Sequence, residues 1–132
     1  MALTVEVAEK PKGVMTVSLN GALDTSTYQE LSKKLEGVLI PDVKVLIFNM
    51  EKLEYISSMG ISVILKARKY IEEHGESFIM VNLQPQIQAV FDIVNALPST
   101  QIFRNLQEAD AYLSAMQRKA KARQKREEEE RF

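Results

Sequence analysis

Asn49-Met-Glu-Lys-Leu-Glu-Tyr-Ile-Ser-Ser-Met-Gly-Ile61 joins an apolar run to an amphipathic one. The run before it, Val43 to Phe48, is apolar enough to be a central strand. The run after it holds Ile61, Val63, Ile64, Leu65, Ala67 and Ile71. Lys66, Arg68, Lys69, Glu72 and Glu73 give that segment one wet face, as in a packed helix. Between the two lie Ser57 and Ser58, followed by Gly60. A hydroxyl just before a helix accepts from the free N–H groups of its first turn. The same N–H groups and the helix dipole also favour an anion. A serine here is therefore either a plain cap or a place where a phosphate can be attached and stabilised.

Working outward, Leu3, Val5 and Val7 alternate with polar residues, as in a half-buried strand. Lys10-Pro11-Lys12-Gly13 is a turn, and Val14, Met15, Val17 and Leu19 predict a second strand, giving a hairpin. Asn20-Gly21 is expected to break that ladder. Asp24 suits a turn or cap. Thr27 and Glu30 have capping-box spacing, and Tyr28, Leu31, Leu35 and Val38 form the apolar stripe of a first helix. Beyond the serine turn, Gly75 fits a C-cap and His74 falls near the last carbonyls of the second helix. Phe78 to Val81 predicts a fourth strand. Pro85 suits the first turn of a third helix that faces Ile87, Val90, Phe91 and Val94 inward and ends at Leu97-Pro98. Ile102-Phe103 is long enough only for a short edge strand. Asn105 with Glu108 is a second capping-box candidate, opening a last helix on Leu106, Ala109, Leu113 and Met116.

The apolar period stops at Met116, which puts the domain at residues 1–116. Gln117–Phe132 contains seven Lys/Arg and four Glu, basic first and acidic last. Such a run is expected to be a solvated helix extension or a fraying tail, since Lys before Glu is the weaker orientation for helix support. The order β-β-α-β-α-β-α-β-α implies an α/β fold: a mixed, mostly parallel sheet of four to five strands packed against about four helices.

A chain of 132 residues fits one domain, and 45% hydrophobic with 27% charged residues suits a globule rather than a disordered chain. A net charge of −1 argues against direct nucleic-acid binding. The absence of cysteine excludes disulfides and thiolate metal sites. One histidine makes neither a metal cluster nor a triad, and no cofactor motif is present. His74 is also far from the serines, since sixteen residues of helix span about 24 Å. That distance argues against nucleophilic catalysis through a Ser–His pair, and the chain is not expected to be an enzyme. No apolar run reaches the roughly 18 residues of a membrane span. With no signal-peptide pattern at the N-terminus, the protein is expected in the cytoplasm.

The pattern around the serines resembles the STAS family, shared by sulfate transporters and bacterial anti-sigma factor antagonists. The residues that carry the resemblance are Asn49, Leu53, Tyr55, Ile56, Ser57, Ser58, Gly60 and Ile61, and it extends over about residues 3–115. It implies the same fold and order of elements. In the antagonist branch the phosphorylated residue lies two positions before this Gly, which is Ser58, with Ser57 the alternative. An Asp after the second strand lies near that serine, a role that falls on Asp24. The partner-binding set implied is Asp24, Asn49, Tyr55, Ser57, Ser58, Met59 and Gly60. Two positions depart from the family: many antagonists have Asp where Ser57 stands, and a small residue where Met59 stands. The first departure removes a negative charge beside the acceptor.

The resemblance implies an anti-sigma factor antagonist whose unphosphorylated form binds an anti-sigma factor with a serine-kinase fold. A serine phosphatase would reset it. A phosphate on Ser58 adds about −1.5 to −2 charges at neutral pH. A partner pressed on that turn would have to desolvate the charge, while the domain's own fold is expected to change little. The alternative is a STAS scaffold subunit of a transporter or signalling complex that is never phosphorylated. Neither reading specifies an oligomeric state.

Overall fold

The computed structural model describes residues 2–96 and 105–131. β1 (Leu3–Glu9) and β2 (Val14–Leu23) pair antiparallel as the expected hairpin. Asn20-Gly21 does not break the ladder: β2 runs on to Leu23, absorbing two register shifts against its other neighbour. Gly21 makes this possible. Its φ of +112° is open to glycine, and a Cβ there would meet the Ala2 carbonyl oxygen at 2.2 Å. After α1 (Tyr28–Glu36), β3 (Val45–Ile56) pairs parallel to β2 on one side and to β4 (Ser77–Val81) on the other. The sheet order is β1-β2-β3-β4. α2 (Ser58–Glu73), α3 (Pro85–Ala96) and α4 (Leu106–Glu130) complete the described elements. Four strands in a mixed sheet with four helices is the α/β arrangement expected. The Ile102-Phe103 edge strand and the Leu97-Pro98 helix end fall outside the described residues.

β3 is much longer than the apolar run that announced it. Met50, Leu53 and Ile56 stay fully buried while Glu51, Lys52 and Glu54 face water, so the strand continues through what had read as a loop. A shift in register between Ser18/Asn49 and Asn20/Lys52 interrupts the strict alternation and hides the strand from a period-two reading. One face of the sheet carries Val17, Leu46 and Phe48 into the core with Leu31, Leu35, Ile64, Ile71, Ile87 and Phe91 from the helices. Phe48 and Phe78 pack at 5.6 Å between ring centroids. On the other face Thr4, Glu6, Ala8, Ser77 and Ile79 remain exposed.

Helix ends follow their local chemistry. At the end of α2, Gly75 takes a φ of +73°, its N–H donates to Glu72 O and the N–H of Glu76 donates to Ile71 O. This is the Schellman arrangement. His74 Nδ1 lies 2.7 Å from Tyr70 O, at the last carbonyls as expected. Asn105 Oδ1 caps α4 by accepting from the Glu108 N–H at 2.8 Å. The Thr27–Glu30 box does not form: Thr27 makes no side-chain cap, because its hydroxyl turns back to donate to Ala22 O at 2.7 Å.

β4 pairs with β3 only from Val45 to Asn49, so among the described residues no strand pairs with Met50–Ile56 on that side. Three glutamines supply partners instead. Gln84 Nε2 donates to Glu51 O at 2.8 Å, and Gln86 Nε2 donates to Glu54 O at 3.0 Å. Gln117, on α4, accepts from the Ile56 N–H at 3.1 Å and donates to Ile56 O at 2.8 Å. Its primary amide thus stands in for a neighbouring peptide. Gln117 is 3% exposed, although it opens the charged run, and α4 continues without a break to Glu130.

Gln117→Ala leaves a buried N–H and C=O at Ile56 without partners, so it is expected to cost about 2 kcal/mol in urea unfolding. Deleting residues 119–132, which are nearly all exposed, is expected to move Tm by less than about 2 °C. A larger drop on deletion would mean that the end of α4 packs or pairs.

Candidate functional site

The ends of β2 and β3 bring the two loops of interest together. Leu23 pairs with Ile56, and the Ser57 N–H donates to Leu23 O at 2.9 Å. Asp24 and the serine turn therefore leave the sheet side by side. Ser57 is the N-cap of α2, and its Oγ accepts from the Gly60 N–H at 3.3 Å. It is 2% exposed, so its hydroxyl is spent inside the fold. Gly60 is needed for close approach: a Cβ there would lie 2.7 Å from Leu23 Cγ and 2.8 Å from Leu23 O. The first turn of α2 rests directly on the end of β2.

Ser58, the first residue of α2, is half-buried and turns its hydroxyl toward α4. Its N–H donates to Asp110 Oδ1 at 2.8 Å and its Oγ–H donates to the same oxygen at 2.7 Å. A carboxylate from α4 thus occupies the anion position at the N-terminus of α2, where the dipole and the free N–H favour negative charge. One turn along α4, Ser114 Oγ bonds the Tyr55 hydroxyl. The next contact is Gln117 on Ile56. Asp110, Ser114 and Gln117 follow i, i+4, i+7 spacing, so one polar face of α4 lies across the whole turn. None of the three was singled out from the sequence. The available signal was that spacing, a polar stripe beside the apolar Ala109–Leu113–Met116 one.

Asp24 is placed next to the turn but spends its carboxylate on its own loop. Oδ1 accepts from the Ser26 N–H at 2.9 Å and the Ser26 hydroxyl at 2.7 Å, and Thr27 Oγ1 lies 3.2 Å away. Burial pushes this carboxyl up, yet the bonds from the Ser26 hydroxyl and amide and from Thr27 outweigh it and hold Asp24 below its ordinary value. Met59 is half-buried beside Ser58. Asn49 lies elsewhere: it is seven residues before Ile56 on β3, roughly 20 Å back along the strand. There its Oδ1 accepts from the Glu51 N–H and from Asn82 Nδ2, at the rim of a cleft of about 170 Å³ shared with Ser18 and Lys52. The sequence-derived set therefore divides into a half-buried part (Asp24, Ser58, Met59), a buried support (Ser57, Gly60), Tyr55 held by α4, and a distant Asn49.

Residues 7–109, which hold the buried serine cap, the second serine and the glycine pressed on the neighbouring strand, match the STAS domain family. The chain belongs to the STAS domain family. Among its STAS relatives is the anti-sigma F factor antagonist of Paenibacillus polymyxa, 24% identical over 106 residues, covering 80% of this chain and 90% of that protein. Another is BtrV of Bordetella bronchiseptica, named as a candidate anti-sigma factor antagonist, 25% identical over 93 residues, covering 70% and 78%. Among solved structures the fold is similar to the anti-sigma factor antagonist SpoIIAA in its unphosphorylated form. The TM-score is 0.60 at 21% identity, over 68% of this chain and 83% of that one. Among the described residues no helix is long and apolar enough to cross a membrane.

Two substitutions test this geometry. Gly60→Ala forces a Cβ onto the Leu23 carbonyl and is expected to cost about 1–3 kcal/mol in chemical denaturation. Because the folded-state pKa of Asp24 is lowered, its contribution to stability is present above its ordinary pKa of 3.8 and is lost as pH falls through the folded value. The stability gap between wild type and Asp24→Asn is therefore expected to be largest near neutral pH and to close below about pH 3.8. Parallel urea titrations at pH 7 and pH 3 measure it.

Proposed function

We propose that this STAS domain is an anti-sigma factor antagonist whose serine turn is a phosphorylation-controlled docking face. The observation that carries the reading is the division of labour between the two serines. Ser57 is buried and caps the helix, while Ser58, at the first helical position, is only half-buried and its hydroxyl donates to Asp110. Of the two, Ser58 is the one a modifying enzyme would reach once its hydroxyl leaves Asp110. The relatives named as anti-sigma factor antagonists support the partner class, an anti-sigma factor; a serine-kinase fold for that partner follows from the resemblance to the antagonist branch alone. A similar solved structure is SpoIIAA in a phosphorylated form, also at a TM-score of 0.60.

Asp24, Ser58 and Met59 form the proposed contact surface, with Tyr55 at its edge. A phosphate on Ser58 brings about −1.5 to −2 charges into it. A partner fitted to the neutral turn would have to desolvate that charge, and a loss of about 3 kcal/mol weakens binding roughly a hundredfold. The phosphatase enters only as the group that removes the ester and restores docking.

With ATP and the partner kinase, label is expected on Ser58 alone; peptide mapping to Ser57 would contradict the accessibility argument. In calorimetry, Ser58→Ala is expected to bind the partner whether or not ATP has been supplied. Ser58→Asp, verified as folded by circular dichroism, is expected to bind at least tenfold more weakly. Equal affinities of the two folded variants would remove the turn from the interface and favour a scaffold role.

A further inference from the structure

We propose that β1 is a self-association edge: two copies of this chain join β1 to β1 across a two-fold axis, so that their sheets run on as one. β1 lies at the end of the sheet order, and among the described residues no strand pairs with its outer side. The Ala22 N–H donates to Ala2 O and the Lys10 N–H to Val14 O, so the even-numbered residues of β1 turn their backbone groups toward β2. The N–H and C=O groups of Leu3, Val5 and Val7 therefore point outward along the free edge. Proteins ordinarily blunt such an edge with a proline or a bulge. Leu3–Glu9 has neither, and its register with β2 is unbroken. Val7, 37% exposed, stands on the helix side of that edge. Glu6, the charge in mid-strand, lies on the open face of the sheet.

Beside this edge runs a groove of about 440 Å³, floored by Leu3, Thr4 and Val5 and walled by Glu30, Lys33 and Lys34 of α1. A strand added there needs apolar side chains at alternate positions toward α1 and acids within reach of the two lysines. β1 itself meets both needs, with Leu3, Val5 and Val7 on one face and Glu6 and Glu9 among them. A second copy of this chain is therefore the occupant. Residues directly opposite in an antiparallel pair share a face, which selects the register. An axis through Val5 sets Val5 against Val5, Leu3 against Val7 and Thr4 against Glu6. The Val5–Val5 pair and each Leu3–Val7 pair then exchange two backbone bonds. An axis through Glu6 would instead set Glu6 against Glu6 in a pair without backbone bonds, where side chains come closest and like charges repel. Any odd-with-even register turns the second copy's apolar residues to the opposite face. The paired segment is short, so the dimer is reversible, with a Kd on the order of 10 µM.

Sedimentation velocity on the full chain from about 1 to 300 µM is expected to pass from monomer to dimer across that Kd. Val7→Pro removes an outward N–H from each copy and leaves the bonds to β2 in place, since that N–H does not face β2. It is expected to weaken the dimer about tenfold or more while circular dichroism and Tm show a folded domain. Val7→Lys keeps the backbone and lays a charge against Leu3 of the other copy; it is expected to weaken the dimer likewise, and it decides the matter if the proline disturbs the strand. The chain has no cysteine, so in Val5→Cys a disulfide can only join two copies. Bonded antiparallel neighbours lie about 5.5 Å apart at Cα, within disulfide reach, and mild oxidation is expected to give the covalent dimer. A monomer over the whole range would overturn the pairing. So would a dimer that the folded Val7 variants leave intact, or Val5→Cys that stays unlinked at concentrations where the wild-type chain is dimeric. None of these measurements involves the serine turn or its partner, so the docking reading stands or falls separately by calorimetry.

Discussion

β3 outruns β4, and the arrangement of the functional end of the molecule depends on that mismatch. A strand carries backbone donors and acceptors along both edges, and those away from water must be paired. From Met50 onward β3 has β2 on one side and, among the described residues, no strand on the other. Gln84 and Gln86 cover Glu51 and Glu54 from the segment just after β4, and Gln117 reaches Ile56 from α4. The last contact fixes where α4 crosses. Once Gln117 is seated on Ile56, helical spacing places Ser114 at Tyr55 and Asp110 at Ser58. A backbone requirement in the sheet thus delivers a carboxylate to the start of α2.

On the opposite side the same turn is held by the close packing of Gly60 on Leu23 and the bond from Ser57 to the Leu23 carbonyl. These contacts are short and buried, and they leave the backbone of the turn little freedom. The side toward α4 is polar, half-exposed and built from side chains. The serine turn is thus held by buried backbone and apolar contacts on one side and by polar side chains of α4 on the other.

Much of the fold was legible from residue patterns, because most elements obey one period and carry their own punctuation. Pro85 at a helix start, Gly75 at a helix end and the Asn105 cap stand where their chemistry predicts. The length of β3 was hidden because its bulge breaks the alternation, leaving Glu51-Lys52 as a polar pair in mid-strand. The Thr27 cap failed for a related reason: a hydroxyl near a strand end has a second acceptor, the Ala22 carbonyl, that only the folded chain provides. At the site, the serine pair alone read equally as a plain cap, and Ser58 stood out through the resemblance, which puts the acceptor two positions before Gly60. Asp110, Ser114 and Gln117 did not, since polar residues on a helix next to a charged run ordinarily face water, and their partners are more than fifty residues away in sequence.

The bond between Ser58 and Asp110 joins the sheet, the helix start and α4 into one unit, and a double-mutant cycle measures it most directly. Ser58→Ala, Asp110→Ala and the double variant are unfolded in urea beside the wild-type chain. A charge-assisted bond of this geometry predicts a coupling of about 1–3 kcal/mol between the two positions. Additive effects, with a coupling below about 0.3 kcal/mol, would contradict the account by showing that α4 is not fastened at the serine turn.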